Sequence, residues 1–362
     1  MKIMFVCSNS DLAGAPRHVA LLHNHLAKEH EVYSIFGGDG EIGSQISGGN
    51  VEIISVLGSE INPARDFVSL YRLYVSISKF KPNVIHVHSF KAGLLVRLLS
   101  LFSSLNIIYT VHGWPWRGKG AIIGSVAYLF ELFFALVKRS VQYIFVDPVS
   151  YKHNFSTRFI RNKSLVINGV EDLLLPASPN ITQNGSPSFI FVSRAASGKR
   201  HDLCVEGFGK YKARGGRGML FFAGDGTLDE LFKSEMYARC EGFEDYLVFL
   251  GSIKDLTDLY IEYDVVVLVS DFEAMPLCLI EGMSFGLAQI GSDTGGVYEI
   301  IDATTGVLLQ DNDPESIANA FEAFDGEGKL SLLKKNSRQK FLTKFTVKNM
   351  IKSVEKVYKT FN

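Results

Sequence analysis

Short apolar runs rich in Val, Ile and Phe alternate along the chain with segments whose apolar positions recur every three or four residues. In the first half, runs at 2–7, 31–36, 51–56, 83–88, 106–111, 142–146 and 164–167 predict strands. Amphipathic stretches such as Val19–Leu26 and Phe67–Ile77 predict helices between them. The second half repeats the pattern with runs at 188–192, 218–223, 246–250, 264–269, 287–291 and 306–309. Strands that are apolar throughout and alternate with helices predict parallel sheets covered on both faces. The stretch 176–188, rich in Pro, Ser, Asn and Gly and almost uncharged, predicts a linker. The expected organisation is therefore α/β, with an N-terminal Rossmann-like domain over 1–176 and a linker over 177–187. A second doubly wound domain follows over 188–340, and a closing helix over 341–362 packs back towards the first. Two such domains present their strand ends to each other across a cleft, where ligands bind near helix N-termini.

Charge and cysteine change this picture only in part. The 362 residues suit two domains, and a net charge of −1 excludes a uniformly basic nucleic-acid binder. The balance is uneven, however. Between Ile61 and Lys163 stand 14 basic residues against Asp66, Glu131 and Asp147, so one face of the first domain is expected to be cationic. The same stretch holds Ala121–Val137, apolar except at Gly124, Ser125 and Glu131. It falls short of the ~20 residues that cross a bilayer, which leaves a membrane-docking helix or a core helix. Lys344, Lys348, Lys352 and Lys356 form a stripe that adds to a cationic surface or is simply solvated. The N-terminal apolar run is too short for a signal peptide and reads as a first strand. Cys7, Cys204, Cys240 and Cys278 form no metal or disulfide pattern, which suits a reducing, cytoplasmic setting.

Two nucleotide-like motifs fail on context. Gly38-Asp-Gly40-Glu-Ile-Gly43 follows the second strand, not the first, and leads into a poor helix. Gly113-Trp-Pro-Trp-Arg-Gly118-Lys119-Gly120 lacks the hydroxyl residue that a phosphate loop uses for magnesium. Asp311-Asn-Asp313 before Pro314 is expected to be a turn and N-cap. His86 and His88, in one strand, are expected to face opposite sides with one of them buried and no metal role.

The segment from Ser270 to Gly286 carries more chemistry. A buried strand ends in a polar turn with Glu273, and Pro276 opens a helix holding Glu281. Ionised carboxylates above a sheet edge suit paired hydroxyls, and the amides around Met275 and Leu277 suit an anion. Arg194 and Lys199, after the first strand of the second domain, could meet a diphosphate. Gly224-Asp-Gly226 and Gly295-Gly296-Val-Tyr-Glu299 let backbone approach a ligand closely.

In this order the motifs resemble the family 4 retaining glycosyltransferases of the GT-B fold. In the first domain, Ala13-Gly14-Ala15-Pro-Arg17-His18, Val84-Ile-His86-Val-His88-Ser89, Tyr109-Thr-Val-His112-Gly113 and Val166-Ile-Asn168-Gly169 are similar to family segments. The resemblance implies that Arg194 and Lys199 hold the diphosphate of a nucleotide-sugar, most often a UDP-sugar. It further implies Glu281 on the ribose, Glu273 on the transferred sugar, Gly14 close to the phosphates and His112 near the sugar. Ala13 and Ala274 depart from glycines usual in the family. Trp114 and Trp116 either form an acceptor surface or pack the domain edge. The implied activity is retaining transfer to a glycan or lipid-linked saccharide in cell-surface polysaccharide assembly, with no metal or other cofactor required. An anionic membrane surface at the inner face of the plasma membrane is a further expected partner, and nucleic acid is not. The rival functions are a nucleotide-sugar epimerase and a non-catalytic sugar-nucleotide or carbohydrate-binding protein.

Overall fold

Among the described residues every strand pairing is parallel, and each predicted apolar run overlaps an observed strand. The computed structural model describes residues 1–58, 60–117, 120–138, 140–173, 186–240 and 242–361. Two compact units result, Met1–Asn168 with Val347–Asn362, and Gly169–Thr346. These divisions stand beside the boundaries at 176 and 340 expected from composition; the expected linker lies outside the described residues up to 185.

The first unit contains strands β1 (Lys2–Cys7), β2 (Glu31–Gly37), β3 (Asn50–Ile54), β4 (Val84–His88), β5 (Ile107–Val111), β6 (Gln142–Phe145) and β7 (Lys163–Leu165), in the order β3-β2-β1-β4-β5-β6-β7. Alternate residues of each strand feed opposite faces. Met4, Val6, Ile85 and Val87 pack with Leu73 and Ile77 of helix α2 (Pro63–Phe80) and with Ala92, Leu95 and Val96 of α3 (Phe90–Leu99). Ile3, Phe5 and Ile108 pack with Val19, Leu22 and Leu26 of α1 (Gly14–Leu26) and with Met350, Val354 and Tyr358 of the C-terminal helix Val347–Tyr358. Each such side chain contributes about 1.5–3 kcal/mol by leaving water. Helix α2 shows how locally its ends are coded. The Asn62 side chain accepts from the Arg65 amide, Pro63 occupies the first turn, and Lys81 in the left-handed region stops it before Pro82.

Helix α4 (Ala121–Val137) is neither a core helix nor a span. Gly124, Ala127, Glu131, Phe134 and Ala135 face inward, whereas Ile122, Ile123, Val126, Leu129, Phe133, Leu136 and Val137 are exposed, Ile122 by 82%. No described helix is long and apolar enough to cross a membrane. Glu131 is fully buried and receives two hydrogen bonds from Arg97 of α3, at 2.7 and 2.8 Å. Arg97 also donates to Gly93 O at 2.9 Å and to the Tyr143 hydroxyl at 3.0 Å, and its guanidinium lies over the rings of Tyr109 and Phe134. Burial alone would lower the Arg97 pKa, but the Glu131 charge holds it above its ordinary value.

The second unit is a six-stranded sheet of β8 (Ser188–Val192), β9 (Met219–Ala223), β10 (Leu247–Gly251), β11 (Val265–Leu268), β12 (Ala288–Ser292) and β13 (Gly306–Leu309). Its order is β10-β9-β8-β11-β12-β13. Asp313 caps the helix Pro314–Glu322 by accepting from the Glu315 and Ser316 amides, as its sequence context predicts.

The Arg97–Glu131 pair can be tested directly. Glu131→Ala leaves a buried guanidinium unpaired and should cost about 3–5 kcal/mol in urea unfolding. The double substitution Arg97→Met with Glu131→Leu should cost much less than the two single changes added together. Additive losses in the cycle would show that the pair is not coupled.

Candidate active site

In each unit the chain leaves neighbouring strands in opposite directions at one place, between β8 and β11 in the second unit and between β1 and β4 in the first. Loops part there and leave a crevice at the carboxyl ends of the strands.

At the β8/β11 crevice, Lys199 ends a short turn after β8 and its Nζ forms an ion pair with Glu273 Oε1 in the loop after β11. Glu273 also accepts from Ser270 Oγ at 2.8 Å, and the Asp271 amide donates to Gly198 O at 3.0 Å. Thus the two loops are latched by backbone and side chains together. Arg194 lies exposed in the same β8 loop. Two glycines permit this crowding. A Cβ on Gly224 (φ +147°) would stand 2.0 Å from Ser193 O, and one on Gly295 (φ +58°) 1.8 Å from Glu273 O. No other residue adopts those angles at so close an approach without strain.

Glu281 lies in the helix Leu277–Ser284, which Pro276 caps, and is buried. It accepts a hydrogen bond from the Tyr260 hydroxyl at 3.1 Å. Met275 and Leu277 are buried at the start of that helix. The second unit therefore gathers Arg194, Lys199, Gly224, Glu273, Met275, Leu277 and Glu281 around one sheet edge. Tyr260 was not foreseen, because nothing in the local sequence links it to Glu281. Asn312 was also missed: it donates to Ser270 O at 3.1 Å and accepts from Ser292 Oγ at 2.6 Å, bracing the ends of β11 and β12.

At the β1/β4 crevice, Gly14 begins α1, and a Cβ there would meet no atom of the chain. His18 of α1, His88 at the end of β4 and His112 after β5 converge. His88 Nδ1 and His112 Nε2 are 3.0 Å apart, and the His18 and His112 rings meet edge-on at 4.9 Å. Burial lowers the His18 pKa to about 4 and holds His88 and His112 well below the usual imidazole value, so all three are neutral at pH 7. Ser89, with φ +76° and ψ 150°, holds a backbone conformation that normally demands glycine, and its hydroxyl pairs with Ser8 Oγ at 2.7 Å.

One expectation needs correcting here, and one open alternative is decided for Trp114. His86 and His88 do not face opposite sides: residues two apart in a strand share a face, and their rings lie 4.3 Å apart with both fully buried. His86 is a satisfied core histidine, with Nδ1 2.7 Å from the Tyr358 hydroxyl and Nε2 2.7 Å from Thr110 Oγ1. Trp114 is no open acceptor surface. It is 3% exposed, stacks on Trp116 at 4.5 Å and packs against Phe145 and Phe155. Trp116 is half-buried.

Two parallel doubly wound units of this kind make the GT-B fold. Two family models match, described as Glycosyltransferase Family 4 over residues 12–163 and Glycosyl transferases group 1 over residues 186–324. The chain belongs to the family 4 glycosyltransferases and is a transferase; neither the epimerase nor the non-catalytic reading is favoured. It is 26% identical over 331 residues to an Escherichia coli UDP-Gal:alpha-D-GlcNAc-diphosphoundecaprenol alpha-1,3-galactosyltransferase, covering 84% of this chain and 81% of that one. It is 23% identical over 311 residues to the E. coli O-antigen biosynthesis glycosyltransferase WbnH, covering 86% of each. Among solved structures, Anabaena HepE in complex with UDP-glucose matches with a TM-score of 0.81 at 16% identity, over 99% of this chain and 100% of that one.

The β8 loop also rests on a titratable group. His201 is buried, stacks on Phe191 at 4.4 Å, and its Nε2 lies 3.0 Å from Ser193 Oγ. Burial first, and then the neighbouring Lys199 charge, lower its pKa to about 4, against the opposing pull of Asp202. Unfolded, it takes a proton near ~6.5, so between these values the unfolded chain binds more protons. Its contribution to stability is complete above the unfolded value and is lost as pH falls through the folded one. The urea midpoint should drop across that window, and His201→Phe should show a shallower drop, by the equivalent of about one proton. Equal slopes in the two proteins would remove His201 from the account.

Proposed function

We propose that this protein transfers a glycosyl residue from a UDP-sugar, with retention of configuration, to a lipid-linked saccharide during cell-surface polysaccharide assembly. The observation that carries the reading is the latched pair of cation and carboxylate, Lys199 with Glu273, in the β8/β11 crevice beside Arg194. Arg194 and Lys199 bind the diphosphate and stabilise the charge that grows on it as the glycosyl bond breaks. Glu273, released from Lys199 by the incoming anion, accepts hydrogen bonds from sugar hydroxyls. Glu281, held by Tyr260, accepts from the ribose, and Met275 and Leu277 contribute the helix start that faces the phosphates. Gly224 lets the β9 loop close onto the Arg194 loop, and Gly14 leaves open space at the start of α1 for a phosphate. His112, kept neutral, offers a hydrogen bond to the transferred sugar, and Trp116 lies on the acceptor side. The leaving diphosphate takes the acceptor proton on the face it departs from, which preserves configuration. The donor base is supported by the UDP of the HepE complex and by the UDP-Gal in the name of the E. coli relative; the diphosphoundecaprenol in that name supports a lipid-linked acceptor.

A membrane-facing surface supports the same reading. Helix α4 exposes an apolar flank, and α2 exposes Phe67, Val68, Tyr71, Tyr74 and Val75. Lys79, Lys81 and Lys138 flank these helices in the cationic stretch. Apolar side chains at the lipid boundary with lysines at about 1 kcal/mol each near anionic lipid describe a peripheral protein. The working location is thus the cytoplasmic face of the plasma membrane.

Arg194→Ala should weaken UDP binding in calorimetry by about 1.5–3 kcal/mol, roughly ten- to hundredfold, with the fold intact. Glu273→Gln should keep UDP affinity and lose turnover, whereas Glu281→Gln should lose affinity. Product NMR should show the donor's anomeric configuration retained; inversion overturns the mechanism.

On liposomes, flotation should rise with anionic lipid, fall with salt, and weaken both in Lys79→Gln/Lys81→Gln and in Ile122→Ser/Leu129→Ser. Equal flotation on neutral vesicles, or none, would sever the acceptor proposal from its surface.

A further inference from the structure

The β1/β4 crevice of the first unit holds a set of donors that the transfer reading uses only through His112. We propose that His18, His88 and His112 form a binding site for one divalent transition-metal cation, zinc(II) being the best match. Each residue offers one ring nitrogen, and the three nitrogens lie within 4.8 Å of one another. Tetrahedral zinc with bonds of about 2.0–2.1 Å holds its ligands roughly 3.3–3.4 Å apart. One pair, His88 Nδ1 and His112 Nε2, is already 3.0 Å apart.

Unmet hydrogen-bonding capacity points the same way. Among the described residues, His18 Nδ1 is buried and has no hydrogen-bond partner. Such atoms are rare in folded proteins and costly where water is excluded. His88 Nδ1 faces His112 Nε2 at 3.0 Å, so a single proton can lie between two nitrogens where a cation would serve both.

The scaffold is rigid and dry. One ligand comes from a helix, one from a central strand and one from the residue after a strand. His88 is wedged between His86 at 4.3 Å and Phe5 at 5.9 Å, and His86 is itself fixed by Tyr358 and Thr110. Three imidazoles without a carboxylate or thiolate select zinc, copper, nickel or cobalt over magnesium and calcium. Only His112 of the three is half-buried, and a zinc held by three protein ligands keeps its fourth position for water or a ligand hydroxyl.

The test needs no glycosyl transfer, and so succeeds or fails apart from the function proposed above. Chelator-stripped, untagged protein is titrated with cobalt(II) and then with zinc(II). A tetrahedral cobalt absorption band should grow to one equivalent and be abolished by one equivalent of zinc. His18→Ala and His88→Ala should each lower zinc affinity at least about tenfold in competition with an indicator dye. His112→Ala, at a half-buried position outside the core, should do so with an unchanged circular dichroism spectrum. His30→Ala, outside the cluster, should bind as the unaltered chain does. No band and no stoichiometric zinc uptake would overturn the proposal, as would affinity unchanged in folded His112→Ala.

Discussion

Parallel strand pairing is the constraint on which the functional architecture depends. Because every strand in a sheet runs the same way, all loops that follow strands emerge at one edge. The order β10-β9-β8-β11-β12-β13 then sets β8 beside β11, and in doing so brings Lys199 to Glu273 across 74 residues of sequence. Small residues finish what topology begins. Gly224 and Gly295 stand where a single methyl would strike a carbonyl oxygen, so the β9 and β12 loops close onto the Arg194 and Glu273 loops at backbone distance.

A second constraint governs the surface. Helix α4 is apolar on nearly every side, and nothing in its own pattern says which side should face inward. Glu131 decides it. A carboxylate cannot be left buried without a partner, and Arg97 supplies both hydrogen bonds from α3. The pair fixes the rotation of α4, so that Phe134 meets the sheet layer and Ile122 and Leu129 face outward. Buried ion pairs of this kind contribute more to a unique arrangement than to net stability. Here that arrangement is the side of the helix offered to its surroundings.

The sequence is most legible where chemistry is local. Strands, the Asn62 and Asp313 caps, and the loop positions of Arg194, Lys199 and Glu273 all follow from patterns within a few residues. Partnerships formed across the sheet are not encoded that way. Tyr260 with Glu281 and Arg97 with Glu131 are separated by 21 and 34 positions, and neither partner's neighbours reveal the other. His86 and His88 show a different kind of failure. Their spacing was sufficient, since a period of two puts both on one face, and the expectation of opposite faces misapplied that period. The histidine cluster of the first unit then followed from topology that no single segment displays.

The two crevices solve the same electrostatic problem in opposite ways. In the second unit the charges are kept and matched. Lys199 neutralises Glu273, and Arg200 is shared between Asp202 and Asp271. In the first unit charge is removed: burial strips the proton from each imidazole and leaves dipoles and lone pairs in a water-poor crevice. Preorganised dipoles in such surroundings act strongly on charge that develops nearby, and they cost little to reorganise because they are already fixed. The second unit thus presents matched charge and the first presents neutral polar groups. Their segregation into separate units lets each be built with its own dielectric setting.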